Sequence, residues 1–345
     1  MRKQATSRDV AKLAGVSRTT VSFVLNDVPG VKISEETRQR VLEAARRLDY
    51  HPTAAARSLV SGRTNRIGLI LAEGEKRLAA DAFLPTFLQG VMACVHHRGY
   101  LLVVQTAEDV LSYEAYAGLI REQQVDGLIL SGPAVDDPLL TRLSGEGFPL
   151  ISHGRTNLPG LYYVDVDNRA GAYLAVEHLI ALGHRRIGFI SNAPLSSSSA
   201  ADRLTGYRQA LQDHDIPLDS DLVGVAAFLP ETGQAAMKTL LSLPNRPTAV
   251  LAASDVMALA AMTEIHRAGL KVPDDIAVVG YDDVTLAGYA HPALTTVHVP
   301  AYGLGWTAVN LLVSLIEGER EVASVTLETK LVIRDSCGAR QRTPS

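Results

Sequence analysis

The sequence has 345 residues, 47% of them hydrophobic and 20% charged, which is long enough for two or three globular domains and excludes disorder over most of its length. No apolar run reaches the ~18 residues that a membrane-spanning helix needs, and the N-terminus lacks the apolar core of a signal peptide, so we expect a cytoplasmic protein without a membrane partner. Residues 1–66 carry a net charge of +7 and the remainder −11, which is typical of a polyanion-binding head on an acidic body.

The first predicted helix precedes Gly15. Thr6, with Asp9 three residues later, can form a capping box for a helix over Ser7–Ala14. Gly15 should end this helix, because glycine readily adopts the left-handed conformation found at helix C-termini. A tight turn after residue 14 is therefore expected.

A second helix, over residues 18–26, can be capped by Ser17. Its apolar stripe consists of Val21, Val24 and Leu25. The side chains left pointing elsewhere are Arg18, Thr19, Ser22, Phe23 and Asn26. Two helices across a glycine turn are typical of a helix-turn-helix, whose second helix enters the major groove of DNA, although an ordinary helical hairpin fits the same pattern.

A third helix is predicted over residues 35–48, with Ser34 as its cap. Acidic residues in its first turn and arginines in its last turn match the helix dipole. Its apolar face, which can close a small three-helix core, consists of Val41, Leu42, Ala45 and Leu48.

Residues 53–60, TAAARSLV, form a further short helical pattern. Eight residues are too few for a stable helix in water, so this segment should become ordered only against a partner. Arg57 suits a phosphate or a narrow minor groove, and Leu59 suits a wedge between base steps. A plain interdomain linker is the alternative.

From residue 65 onward, buried-strand patterns alternate with helical ones, and the series occurs twice. The predicted strands are 67–71, 101–105, 127–130, 149–152, 186–190, 222–226, 249–252, 277–280 and 296–298. The predicted helices are 87–97, 113–123, 138–145, 201–213, 231–243, 255–268 and 304–316. RIGLI at 66–70 recurs as RIGFI at 186–190, and a helix containing Gly90 is matched by one containing Gly206. This repetition predicts an α/β fold with two doubly wound parallel sheets.

Ligands of such sheets bind beyond the carboxyl ends of the strands, so the cleft between the two sheets is the predicted pocket. Polar and flat apolar side chains follow the predicted strands at this rim. They are Phe83, Ser131, His153, Arg155, Arg203, Phe228, Ser254, Asp255 and Asp282. Their chemistry suits a polyhydroxyl ligand.

The sequence lacks the motifs of the common catalytic and cofactor sites: a phosphate-binding GxxxxGK[ST] loop, HExxH, paired metal-binding cysteines and a GxSxG turn. Cys94 and Cys337 form no disulfide framework, and the ten histidines have no evident nucleophile beside them. We therefore expect no cofactor, no metal and no enzymatic activity.

Two N-terminal stretches, DVAKLAGVSRTTVSFVLN and SEETRQRVLEAARRLDYHPTAAARSL, resemble the lac-repressor family of bacterial transcription regulators. The body is similar to the family in AVEHLIALGHRRIGFI, DRLTGYRQAL, TAVLAASDVMALAAM, VPDDIAVVGYDD and HPALTTVHVP, in family order. The resemblance covers nearly the whole chain. It implies a helix-turn-helix domain, a hinge helix and a two-lobed core like that of periplasmic binding proteins.

For the DNA-binding part, the resemblance implies phosphate contacts by Ser17, Thr20, Ser22 and Asn26, and base contacts by Arg18, Thr19 and Phe23. Phe23 stands where the founding lac repressor has arginine, so the operator should differ from that repressor's. In the hinge helix, Ala56 and Leu59 match residues that enter the minor groove, and Thr53 stands where asparagine is usual.

For the core, the resemblance implies Arg203 and Asp282 as anchors for sugar hydroxyls and Phe228 as a stacking surface, while Ser254 replaces a frequent asparagine. The tail after Val332 has no leucine heptads, so a dimer rather than a tetramer is expected. The predicted division is residues 1–50 for the DNA-binding domain, 51–64 for the hinge, 65–338 for the core and 339–345 for a disordered tail. Within the core, the first lobe takes 65–158 and 293–325, and the second takes 159–292 and 326–338.

These observations predict a homodimeric repressor of a carbohydrate catabolic operon that binds double-stranded operator DNA and responds to a mono- or disaccharide. A sugar-binding receptor without DNA function is one alternative, and the basic head and missing signal peptide argue against it. A sugar- or nucleoside-processing enzyme is another, and the missing catalytic constellation argues against that. The operator, the effector and the sign of the response stay open.

Overall fold

The computed structural model describes residues 5–27, 30–52, 58, 62–72, 79–107, 118–132, 138–319 and 321–339. Its helices are α1 (Ser7–Ala14), α2 (Arg18–Leu25), α3 (Glu35–Arg47), α4 (Leu84–His97), α5 (Pro138–Gly145), α6 (Asn168–Ala181), α7 (Ser198–Asp213), α8 (Pro230–Leu241), α9 (Asp255–Arg267) and α10 (Ala301–Glu317). Its strands are β1 (Arg66–Ala72), β2 (Leu101–Ala107), β3 (Gly127–Ser131), β4 (Leu150–His153), β5 (Tyr162–Val166), β6 (Ile187–Ile190), β7 (Val223–Gly224), β8 (Ala249–Ala252), β9 (Ala277–Asp282), β10 (Thr295–His298), β11 (Val325–Leu327) and β12 (Lys330–Val332).

The three N-terminal helices pack into the predicted small core. Helix α1 has the predicted bounds, and α2 and α3 each end one residue earlier than predicted. Each begins at its predicted cap, because the Thr6, Ser17 and Ser34 hydroxyls accept backbone N–H groups of the first turn. The buried side chains include Val10, Val21, Val24, Val41 and Ala45.

The predicted pair of doubly wound sheets is confirmed. The first sheet has the strand order β11-β5-β4-β3-β1-β2 and is parallel throughout. The second has the order β12-β10-β9-β8-β6-β7 and is parallel except for β12, which runs antiparallel to β10. Each sheet with its helices is called a lobe below.

Helices cover both faces of each sheet, as alternation along the strands requires. In β1, Ile67, Leu69 and Leu71 pack towards α4 and α10, whereas Ile70 packs on the opposite face with Leu140 of α5. In the second lobe, α6 and α7 lie on one face and α8 and α9 on the other. The strands are therefore buried on both sides.

The predicted correspondence between Gly90 and Gly206 has a structural basis. A side chain at Gly90 in α4 would strike the backbone carbonyl of Tyr302 in α10, and a side chain at Gly206 in α7 would strike that of Arg169 in α6. Each glycine thus allows two helices of its lobe to pack with their backbones in close approach. The repeat in the sequence is a repeat of this helix pair.

The chain crosses between the lobes at positions that differ from the predicted boundaries. Tyr162–Val166 pairs with β4 in the first sheet, so the first crossing follows residue 166 rather than 158. Thr295–His298 pairs with β9 in the second sheet, so the next crossing follows residue 298 rather than 292. The final crossing lies between β11 and β12. Local apolar patterns show that a strand exists but not which sheet it joins.

In the part of the chain that the structure describes, no helix has both the length and the apolar character needed to cross a membrane. Cys94 and Cys337 are both buried and unbridged. The predicted helix at 113–123 lies largely outside the described residues, and the predicted tail lies outside them from residue 340.

Candidate functional site

Helix α2 buries one side and exposes the other. Val21 and Val24 are buried, whereas Arg18 and Thr19 are exposed at its start. The exposed side borders a shallow groove lined by Ser7, Arg18, Thr19, Val21, Ser22, Phe23, Leu25, Asn26, Tyr50 and Pro52. The sequence pattern does not predict Ser7, Tyr50 or Pro52 here, because it gives the faces of a helix but not the segments beside it.

Hydrogen bonds within α2 decide which groups remain for a phosphate. Asn26 Nδ2 donates to the Ser22 carbonyl oxygen at 2.9 Å and to Ser22 Oγ at 3.3 Å. Asn26 Oδ1 is buried with no hydrogen-bond donor among the described residues. Since both amide hydrogens of Asn26 are engaged, this side chain braces the end of α2, and Ser22 Oγ keeps its own O–H for a phosphate oxygen.

At the other end of α2, Ser17 Oγ accepts the Thr20 N–H at 3.0 Å and lies 2.9 Å from Thr20 Oγ1. One of the two hydroxyl hydrogens serves this pair, and the other is available to a phosphate. The predicted hinge residues Thr53, Ala56, Arg57 and Leu59 lie outside the described residues.

A cleft of about 730 Å³, including the space at its open mouth, lies between the two lobes at the carboxyl ends of the strands. Six predicted residues line it: Phe83, His153, Arg203, Phe228, Ser254 and Asp282. Both lobes contribute, since Phe83 and His153 belong to the first and the other four to the second.

Arg203 is buried in the cleft wall in a fixed orientation. Its Nε donates to Asn168 Oδ1 at 2.8 Å and its Nη1 to the Ala253 carbonyl oxygen. Nη1 also lies 3.5 Å from Asp282 Oδ1, and the guanidinium carbon lies 3.7 Å from the centre of the Tyr281 ring. No acceptor for Nη2 is found within the described residues. Arg203 and Asp282 therefore present a preorganised donor and acceptor to one ligand.

The backbone is strained beside this pair. Phe228 (φ 55°), Asp282 (φ 111°) and Asp283 (φ 57°) adopt positive φ values that non-glycine residues rarely take. The turn at Asp283 is held by Arg334, whose Nη2 donates at 2.6 Å, and by His298, whose Nδ1 lies at 3.0 Å. These contacts fix the position of the Asp282 carboxylate at the end of β9.

His153 forms part of a flat aromatic wall in the first lobe. Its ring stacks on Phe87 with a centroid separation of 4.2 Å and on Phe83 at 5.8 Å. Its Nδ1 lies 2.9 Å from Ser131 Oγ. Ser131 therefore lies behind the histidine, which it orients, and does not itself line the cleft.

Arg155 and Asp255, both predicted at the rim, do not line the cleft. Arg155 forms a bidentate ion pair with Asp202, at 2.7 and 3.0 Å, and this contact raises the pKa of the guanidinium. Asp255 is fully buried, where its carboxylate accepts the Val284 N–H at 2.8 Å and the Thr296 hydroxyl at 2.5 Å. Burial raises the pKa of Asp255 to about 7. A strand end predicts where the backbone goes but not where each side chain turns.

Several cleft residues were not singled out by the sequence. They are Asp81, Asp165, Asn192, Ser197, Ser198 and Ser199. The run of four serines at 196–199, which spans the start of α7, was a usable signal, since small polar residues are common at helix starts. Asp165 is buried, which raises the pKa of its carboxyl group, and it accepts hydrogen bonds from Asn168 Nδ2 and the Arg155 N–H.

The charged side chains that line the cleft are three carboxylates and one guanidinium: Asp81, Asp165, Asp282 and Arg203. The site thus offers no net positive charge to an anion. Among the described residues, no group of three or more histidine, cysteine or acidic side chains is arranged to hold a metal ion.

Two family models match separate parts of the chain. Residues 6–53 match the family model for bacterial regulatory proteins of the lacI family, and residues 176–337 match that for a periplasmic binding protein-like domain. The HTH-type transcriptional regulator CelR of Thermobifida fusca is 39% identical over 97% of this chain and 99% of its own. The HTH-type transcriptional repressor PurR of Escherichia coli O139:H28 is 37% identical over 96% of each chain.

Solved structures show the same similarity. The structure of a CelR–cellobiose complex has a TM-score of 0.75 and 38% identity, covering 96% of this chain and 99% of that one. The lac repressor dimer bound to operator and an anti-inducer has a TM-score of 0.83 and 31% identity, covering 97% and 99%. The chain therefore belongs to the lacI family of bacterial transcription regulators, as its helix-turn-helix and two-lobed core indicate.

Proposed function

We propose that this protein is a homodimeric repressor, acting in the cytoplasm, whose affinity for operator DNA is set by a neutral disaccharide of glucose, such as cellobiose, in the cleft. Dimerisation would place two α2 helices on a near-palindromic operator. The proposal assigns the protein no catalytic reaction, in keeping with relatives that are transcriptional regulators.

The arrangement of Arg203 and Asp282 is the observation that carries the choice of ligand. A buried guanidinium and carboxylate held 3.5 Å apart suit neighbouring hydroxyls, which both donate and accept hydrogen bonds. Phe83 in one lobe and Phe228 in the other supply flat apolar surfaces that suit the faces of pyranose rings.

The charge balance favours a neutral sugar over a sugar phosphate. Three carboxyl groups and one guanidinium line the cleft, and that guanidinium already has Asp282 beside it. A phosphate would bring about two further negative charges into this site, which like charges disfavour. The CelR–cellobiose complex supports a disaccharide of the same class.

The exposed start of α2 supports sequence-specific DNA binding. We assign base reading to Arg18, Thr19 and Phe23, and phosphate contacts to the Ser17–Thr20 pair and to Ser22. Arg18 is exposed and can bond a guanine with two hydrogen bonds, while Phe23 can contact a thymine methyl group. Asn26 would act by bracing Ser22.

A fluorescence-anisotropy titration of the protein's own promoter fragment tests this function. We expect binding at sub-micromolar protein in preference to random DNA, and at least a tenfold change in the midpoint on adding cellobiose. Glucose 6-phosphate and buffer serve as controls and should leave the midpoint unchanged. A change in the midpoint with glucose 6-phosphate and not with neutral disaccharides would overturn the choice of effector. Equal affinity for the promoter fragment and for random DNA would overturn the proposed repressor function.

A further inference from the structure

Asn192 lies two residues after the end of β6, in the wall of the cleft, and is only 8% exposed. Its Oδ1 is buried and has no hydrogen-bond donor among the described residues. Its Nδ2 makes one long contact, 3.4 Å to Ser199 Oγ. Of the two donor hydrogens and two acceptor lone pairs of this amide, only one hydrogen therefore has a partner among the described residues.

The backbone at this position is held without help from that amide. The Asn192 carbonyl oxygen accepts the Phe228 N–H at 2.9 Å. Ser191 Oγ, one residue earlier, donates to the Ala193 carbonyl oxygen and accepts the Ala226 N–H, both at 2.8 Å. Neighbouring bonds thus account for the local structure, and the Asn192 side chain has no evident role in stability.

Neighbouring side chains do not supply the missing partner. Ser199 Oγ and Ser197 Oγ lie 3.2 Å apart and bond to each other. Rotating the amide by 180° would let oxygen face Ser199, but it would leave the amide nitrogen unpaired instead. In either orientation one polar atom of Asn192 lacks a partner.

An unpaired buried polar atom is costly, and such atoms are rare in folded proteins. Asn192 borders a cleft that is also lined by Arg203, Asp282 and four serines. A ligand hydroxyl both donates and accepts, so it can satisfy the amide in either orientation. The missing partner thus has the chemistry of a sugar hydroxyl.

We infer that Asn192 is a specificity-determining residue of the effector site: its side-chain amide bonds one hydroxyl of the bound sugar and rejects an analogue that lacks this hydroxyl. The inference rests on the proposed function, since it needs a sugar in the cleft. Discrimination follows because a deoxy analogue would leave the amide buried and unpaired.

A protein–ligand mutant cycle tests the inference by calorimetry with cellobiose and its monodeoxy analogues. For the wild type, we expect one analogue to bind about 10- to 100-fold more weakly than cellobiose, which is the cost of an unpaired buried group. In Asn192→Leu and Asn192→Ala, cellobiose itself should weaken by a similar factor, and that analogue should bind as well as cellobiose.

The affinity ratio of the two ligands is read within one variant, so a difference in stability between variants cancels. Without sugar, Asn192→Leu should unfold at the wild-type temperature or above, because it removes an unpaired group and one weak contact. Asn310→Leu is the matched control: Asn310 accepts the Arg98 Nε–H at 3.0 Å, does not line the cleft, and should bind cellobiose normally.

Failure of the two proposals is distinguishable. A wild-type protein that binds no neutral disaccharide would refute the proposed effector class. If the wild type binds cellobiose, and the monodeoxy analogue loses the same affinity relative to cellobiose in both Asn192 variants as in the wild type, only the role of Asn192 would be overturned.

Discussion

The ion pair between Arg155 and Asp202 joins the two lobes, and neither residue lines the cleft. Arg155 follows β4 in the first lobe, and Asp202 lies in α7 of the second. The contact is bidentate, at 2.7 and 3.0 Å, with the side chains 47% and 18% exposed. If the effector binds the two lobes in the arrangement seen here, breaking this ion pair should weaken effector binding, although neither side chain contacts the effector.

The expected magnitude follows from geometry and exposure. Ion pairs between exposed side chains contribute about 0.2–1 kcal/mol, and a bidentate arginine–carboxylate pair lies at the upper end. Since 1.4 kcal/mol corresponds to a factor of ten, a loss of roughly 1 kcal/mol weakens effector affinity about fivefold. Because Arg155 is half exposed, added salt should screen the effect and bring wild type and variant closer.

Calorimetric titration with cellobiose measures this for Arg155→Ala, Asp202→Ala and the double variant. The double variant should resemble each single one, because the energy resides in the pair. Arg186 and Asp219 provide a matched control, being the same residue types at 2.9 Å within the second lobe. Equal losses from both pairs, or wild-type affinity in all three variants, would refute a role in holding the lobes together.

Two further predictions concern the head and the core. In a panel of operator variants, Arg18→Ala should reduce the binding preference for guanine at one position by about 1–3 kcal/mol. Uniformly weaker binding to all sequences would mean that Arg18 contacts only phosphate. Burial raises the pKa of Asp255 to about 7 from an ordinary 3.8, so the folded state holds its proton more tightly. As the pH rises from about 4 to 7, the unfolding free energy of the wild type relative to Asp255→Asn should therefore fall by up to about 1.4 kcal/mol per pH unit, and it should level off above pH 7. Urea titrations at several pH values measure this difference, and a difference that does not change with pH would contradict the prediction.

The DNA-binding head was predictable because its signals are local. Thr6 with Asp9, Gly15, Ser17 and Ser34 each act within a few residues of their own position, and the structure places helix ends at or beside them. The strands β1–β4 and β6–β10 were likewise evident as short apolar runs, whereas β5, β11 and β12 were not predicted. These features depend on hydrogen bonds and burial that the neighbouring sequence alone decides.

Features that depend on distant partners were not predictable. Helix α6 was not predicted. Its Ala172, Val176 and Leu179 lie among further small and apolar residues, so the sequence shows no polar face repeating with the helical period. The boundary at residue 158 was misplaced because the partner of β5 is decided by sheet assembly. Asn192 stands out only when the atoms around it are known.

The connection between cleft and DNA depends on how the chain enters the first lobe. Asp126 binds this entry firmly, accepting the Thr64 and Asn65 N–H groups at 2.7 Å each, and Arg63 Nη2 donates to the Ile316 carbonyl oxygen at 3.1 Å. These bonds tie residues 63–65 to the first lobe.

An effector can shift an equilibrium only if its affinities for the two states differ. The cleft meets this condition under the proposed function, because Phe83 and His153 belong to one lobe and Arg203 and Asp282 to the other. A sugar that contacts both is sensitive to their separation, whereas a ligand held by one lobe alone would leave DNA affinity unchanged. In a dimer, a shift of each first lobe would change the distance between the two clamped entry segments, and hence the spacing of the two heads on the operator.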